Sequence, residues 1–191
     1  MDSGKQHSAE RLVETFTQYL NLVRKWNRTA GLVSFRDLEH LRSRHLDDSL
    51  ALQDHLGCAQ SLLDVGSGGG FPGIPLAVSN PDIGTILVER NHKKCSFLRH
   101  VVMTLKLSNV DVVNADIRDI GDELNNFDAI SARAVASPDR VWSWCRGLLT
   151  EHGRLLLQTT TSFDGNLPDA VVQPHRSSGI GWINVVRRIV A

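Results

Sequence analysis

Five short apolar runs recur between residues 61 and 158, and helical or turn-rich stretches separate them. They are Ser61–Val65, Gly84–Glu89, Val110–Asn114, Phe127–Ser131 and Arg154–Gln158. Helical spacing fills the gaps at Pro72–Val78, His92–Leu105 and Pro138–Leu149. Strands alternating with helices require crossover connections, so the pattern predicts an α/β fold with a mostly parallel sheet. Ala170–Gln173 and Gly181–Ile189 add two more strand-like runs, which brings the sheet to seven. Pro72 and Pro75 fit the first turn of a helix, where a missing N–H is harmless.

The first 58 residues have a different rhythm. Leu12, Phe16, Tyr19, Leu20 and Val23 fall on one face of a helix over Ala9–Trp26, with Ser8 as its expected N-cap. Leu38, Leu41 and His45 mark a second helix, and Leu46 to Leu56 a third. The expected organisation is a helical cap over residues 1–58 and a Rossmann-like domain over 59–191, together one compact unit.

The first strand runs into Asp64-Val-Gly-Ser-Gly-Gly-Gly-Phe-Pro-Gly73, where six of ten residues are glycine or proline. Ligands of an open parallel sheet sit at the carboxyl ends of its strands, so this loop marks a binding site. Two templates fit it. Gly68-x-Gly70-x-x-Gly73, with Glu89 about 20 residues on, matches the dinucleotide fingerprint. Asp64-x-Gly66-x-Gly68-x-Gly70 matches the loop of S-adenosylmethionine-dependent methyltransferases. A P-loop is excluded, because no Gly-Lys-Ser/Thr follows.

Three points favour S-adenosylmethionine. Asp64 suits a cationic amino group and is a poor neighbour for a phosphate. Asp116 follows the third strand, where it can meet an adenine amino group, while Glu89 can accept from ribose hydroxyls. The chain is also short for a dinucleotide domain plus a substrate domain. A nicotinamide-dependent oxidoreductase remains the competing class, and a plain tight turn the competing structural reading.

Composition sets limits on partners. Twenty-one basic and 21 acidic residues balance, which gives no bulk attraction to nucleic acid. Locally, Arg90, His92, Lys93, Lys94, Arg99, His100 and Lys106 run without an acid until Asp111, either a solvated helix face or a phosphate-facing patch. Three scattered cysteines and eight histidines show no metal-ligand spacing, so no metal is expected. No apolar run approaches the roughly 20 residues that span a bilayer, and the N-terminus lacks an apolar signal core. A cytoplasmic monomer without a membrane partner is expected.

"LLDVGSGGGFPGIPLA" (62–77), "LVERNHKKCSFLRHV" (87–101) and "FDAISARAVAS" (127–137) resemble the bacterial 16S rRNA guanine-N7 methyltransferase family, also called glucose-inhibited division protein B. "RKWNRTAGLVSFRD" and "RHLDDSL" are similar to its N-terminal helical segments. The resemblance implies a class I methyltransferase sheet with a last antiparallel strand and an N-terminal helical cap. It implies S-adenosylmethionine as cofactor and 16S rRNA or the small ribosomal subunit as partner. Gly66, Gly68, Gly70, Phe71, Ile117, Arg118 and Arg133 would border the cofactor. Two segments depart from the family pattern. Gly31-Leu32-Val33 stands for Asn-Leu-Thr, and Leu157-Gln158-Thr159 for Leu-Lys-Gly. These departures keep open a different acceptor, a small molecule or a protein, and a non-catalytic binder.

Guanine N7 has a lone pair and no proton, so its methylation needs placement rather than a general base. Neither Asn/Asp-Pro-Pro-aromatic nor Pro-Cys follows the fourth strand; Ser131-Ala-Arg133 stands there. Arg133 is therefore the expected functional cation, as a fork for a base edge, a phosphate or the cofactor carboxylate; a structural ion pair is the plainer role. His45, Asp48, Lys93 and Lys94 are substrate-binding candidates. Trp142, Trp144 and Cys95 are expected to pack.

Overall fold

A computed structural model describes residues 3–120, 124–163, 165–177 and 181–189. Seven strands form one sheet in the order β3-β2-β1-β4-β5-β7-β6. They are β1 (Ser61–Val65), β2 (Gly84–Val88), β3 (Val110–Val113), β4 (Phe127–Arg133), β5 (Leu149–Thr159), β6 (Ala170–Arg176) and β7 (Trp182–Arg188). β1 to β5 pair in parallel, whereas β7 is antiparallel to both β5 and β6. The chain order reverses at β1, between β2 and β4, which places the glycine loop at the topological switch point.

The helices are α1 (Ser3–Ala30), α2 (Asp47–Leu50), α3 (Gly73–Ser79), α4 (His92–Leu105) and α5 (Pro138–Cys145). α4 has the expected bounds, and its first turn is capped by Asn91, whose side chain accepts from the amides of Lys93 and Lys94. α1 starts upstream of the expected N-cap, so Ser8 lies inside it. α5 stops at Cys145, and Leu149 already belongs to β5. The second and third expected helices are a run of short turns. A 3-10 turn (Phe35–His40), a π-helical turn (Arg42–Leu46), α2 and a further 3-10 turn (Gln53–His55) succeed one another. Changes of pitch on this scale rotate side chains out of the stripe that a regular helix would keep.

The cap is not a separate layer. Phe16, Tyr19, Leu20 and Val23 of α1 share one buried cluster with Leu41, Leu46, Phe71, Ile74, Phe97 and Leu98. Trp26 closes that cluster against Phe97, with ring centroids 5.9 Å apart. A second cluster, around Ile130, Trp142, Cys145 and Leu155, fills the opposite side of the sheet. No helix among the described residues is long and apolar enough to cross a membrane.

Candidate functional site

The glycine loop is shaped by backbone that only glycine adopts without strain. Gly66 and Gly70 have φ of 65° and 89°. A Cβ on Gly66 would lie 2.8 Å from Val135 Cγ2, and one on Gly70 would lie 2.8 Å from the Tyr19 hydroxyl. The loop is thus pressed between the segment after β4 and the first helix.

A cleft of about 390 Å³ opens at the carboxyl ends of β1, β2 and β4. Of the residues singled out by sequence, Gly66, Gly68, Glu89, Lys94, Asp116, Ile117 and Arg118 line it. Glu89 is buried and spans the loop and the next helix. Its Oε2 accepts from the Gly68 amide at 2.9 Å, and its Oε1 from the Asn91 amide at 2.7 Å. Each oxygen keeps one lone pair, enough to take two ribose hydroxyls. Asp116, expected to meet an adenine amino group, lines the cleft and is forked to Arg118 at 2.7 and 2.8 Å. The Arg118 guanidinium holds the Asp116 carboxyl well below its usual range.

His45, Asp48, Phe71 and Arg133 lie outside the cleft lining and meet beyond the loop. Arg133 Nη2 contacts His45 Nδ1, and Nη1 lies 3.8 Å from Asp48 Oδ2. The Arg133 guanidinium also sits 5.7 Å above the Phe71 ring. Its side chain is only 19% exposed. A guanidinium only donates, so His45 Nδ1 must accept and its proton sits on Nε2, 3.7 Å from Asp37 Oδ2. Burial, reinforced by Arg133, pushes the His45 pKa down to about 4, which keeps the ring neutral at pH 7.

Asp48 is held from three sides. Ser177 donates to its Oδ1 at 2.9 Å, Gln158 donates to its main-chain oxygen at 2.8 Å, and Arg133 faces its Oδ2. Arg133 and Gln158 are register partners on β4 and β5, so both strands reach the same cap residue. Gln158, at the position of the family lysine, is thereby committed to the cap.

Asp64 lies outside the cleft lining, on the Ser131 side of the sheet. It is fully buried beneath the loop, where Oδ1 accepts from Ser131 at 2.7 Å and Oδ2 lies against Gly73. The alternation of β1 sends Val65 to the cleft wall and Asp64 to the other face. Burial pushes its pKa up to about 6, against the pull of the Ser131 hydroxyl. Lys93 is exposed on α4, one residue beyond the cleft lining.

Two parts of the site are not legible from spacing. Tyr19 appears in the sequence only as a stripe residue, yet its hydroxyl donates to the Gly69 carbonyl at 2.6 Å. Its being the chain's only tyrosine, on a buried stripe, is the available signal. Trp144 and Arg140 line the cleft mouth, whereas Trp142 packs as expected and donates to the Pro168 carbonyl at 2.9 Å. Cys95 is buried, also as expected. No group of three metal-ligating side chains occurs among the described residues.

Residues 12–165 match the family model described as rRNA small subunit methyltransferase G. The ribosomal RNA small subunit methyltransferase G of Chromobacterium violaceum is 43% identical over 145 residues, 76% of this chain and 69% of that protein. Its namesake from Idiomarina loihiensis is 38% identical over 154 residues, 81% of this chain and 74% of that protein. A crystal structure of a SAM-dependent methyltransferase from Aquifex aeolicus superposes with a TM-score of 0.58 at 18% identity. That match covers 78% of this chain and 93% of that one, a likeness of fold.

Proposed function

This chain belongs to the rRNA small subunit methyltransferase G family, and on that premise we propose that it transfers a methyl group from S-adenosylmethionine to N7 of a guanosine in 16S rRNA. The observation that carries the reading is the cleft itself. A glycine cradle, a ribose-ready carboxylate on Glu89 and the apolar Val88 and Ile117 converge at the switch point of a class I methyltransferase sheet. The relatives do not favour a small-molecule or protein acceptor.

The donor set fits the cofactor. Gly66 and Gly68 would let the backbone approach the adenosyl group, Glu89 would hold the ribose, and Ile117, Asp116 and Arg118 would border the adenine. S-adenosylmethionine held there would supply an electrophilic methyl carbon, which the N7 lone pair could take as the S–C electron pair returns to sulfur. N7 carries no proton, so no side chain has to remove one before attack. Positive charge passes to the purine, and a cation placed against N7 would oppose this.

Electrostatics therefore assigns Arg133 to the carboxylate of the cofactor's methionine portion rather than to the N7 edge. His45 and Asp48 position it, Phe71 supports its face, and Gly70 turns the loop beside Phe71. Asp48 and Asp64 offset its charge, so the pocket is not cationic as a whole. Catalysis then rests on in-line placement in a preorganised site. The enzyme acts as a cytoplasmic monomer on small-subunit RNA, with no metal and no membrane partner.

Titration calorimetry with S-adenosylmethionine, paired with methyl transfer to purified small subunits, tests the reading. Arg133→Ala should weaken cofactor binding at least about tenfold, as loss of a charge-assisted fork does, while the fold survives. Unchanged cofactor affinity would remove Arg133 from the site, and binding of NAD in place of S-adenosylmethionine would overturn the reading.

A further inference from the structure

The chain's formal charges balance, so it can hold a polyanion only where cations are concentrated locally. One such concentration rings the mouth of the cofactor cleft. Trp144 of α5 carries two guanidiniums, with Arg118 Cζ 5.9 Å and Arg140 Cζ 5.4 Å from its ring centroid. Arg90 and Lys94 line the mouth from the side of α4, and Lys93 stands exposed beside them.

The two arginines over the ring differ in what their donors do. A guanidinium held over an indole by cation–π attraction still has its N–H donors to spend. Arg118 spends them on Asp116. Arg140 is exposed; behind the Ser137 hydrogen bond, its charge helps lower the pKa of the adjacent Asp139, but no carboxylate is within ion-pair distance of it among the described residues. Its guanidinium is therefore outside any salt bridge and has donors for a phosphate, which it can take bidentately. Lys93 likewise has no ion-pair partner among the described residues, and its main-chain amide belongs to the first turn of α4.

We infer that this ring docks the phosphate backbone of the substrate RNA, with Arg140 and Lys93 as direct phosphate contacts and Trp144 holding the Arg140 fork in place. The inference rests on the proposed activity and adds where the RNA lies: across the mouth of the cleft, over the bound cofactor. It also gives the acid-free stretch from Arg90 to Lys106 a purpose beyond a solvated helix face.

The test measures binding of a 16S rRNA transcript, and of assembled small subunits, from about 50 to 200 mM salt. Wild type is compared with Lys93→Ala, Arg140→Ala and the double variant, at saturating S-adenosylmethionine. The double variant should bind both RNAs roughly tenfold or more weakly, and its log–log salt slope should fall by about 1 to 2, as expected for two lost phosphate contacts. An unchanged slope while wild type still methylates rRNA would overturn the inference and leave the activity standing. A loss confined to assembled subunits would overturn it too, because it places the contact on a ribosomal protein. Wild type that binds the cofactor but modifies no rRNA would instead defeat the activity itself.

Discussion

The Tyr19 hydroxyl and the Gly69 carbonyl are joined by a 2.6 Å hydrogen bond, although 50 residues separate them in the chain. The first helix thus holds the glycine loop from outside the sheet. Phe71 packs against the Tyr19 ring at 5.1 Å between centroids, which ties the same helix to the Arg133 cluster. Tyr19→Phe keeps the ring and leaves the Gly69 carbonyl without its partner. Such a loss costs about 1–3 kcal/mol. Thermal denaturation should show that drop, and calorimetry should show weaker S-adenosylmethionine binding.

Gly66→Ala tests the cradle directly. The added Cβ meets Val135 Cγ2 at 2.8 Å on a backbone with φ of 65°, so the loop or the segment after β4 has to move. Cofactor affinity should fall more than tenfold, with the sheet intact by circular dichroism. Gly147→Ala, where an added Cβ meets nothing within 4 Å, should leave cofactor binding unchanged.

Stability against pH should reveal two opposed titrations. Asp64 has its folded pKa raised to about 6, so its contribution is full below the unfolded value of 3.8 and is lost as pH rises through 6. His45 has its folded pKa lowered to about 4, so its contribution is full above 6.5 and is lost as pH falls through 4. The two slopes oppose each other between pH 4 and 6. Relative to wild type, Asp64→Asn should lose stability on acidification across that window. His45→Gln should gain it. Denaturant midpoints at a series of pH values read both difference curves, and parallel curves would contradict the assignment.

Methyl transfer should be insensitive to pH over a broad range. N7 needs no deprotonation, His45 is already neutral, and Asp64 is ionised above its pKa of about 6. Single-turnover rates at saturating cofactor and RNA should be flat from about pH 7 to 9. A bell-shaped profile would point to a general base, against a reaction that needs only in-line placement of N7 and the methyl carbon.

Strands and the cofactor loop are legible in the sequence because their signals are local. β1 and α4 have the bounds that periodicity predicts, and glycines at 66, 68 and 70 announce a backbone that other residues resist. Asp64 stands in β1 as the pattern predicts, but residue type says nothing about which face it takes; its alternation with Val65 decides that. The cap from Phe35 to His55 reads as regular helix because 3-10, π and α turns all tolerate the same apolar residues. The contacts of Asp48 with Gln158 and Ser177 span 110 and 129 residues, and no spacing rule reaches that far. Arg133 and His45 each stand out as candidates, but only the fold shows that one holds the other.

Methylation of small-subunit rRNA at guanine N7 can be read directly. Small subunits from cells lacking the enzyme, incubated with the protein and methyl-labelled S-adenosylmethionine, can be digested to nucleosides and mapped by mass spectrometry. One new 7-methylguanosine is expected, at a single position and dependent on Arg133. Label on another atom or base, or none on RNA from a protein that binds the cofactor, would contradict the proposed activity.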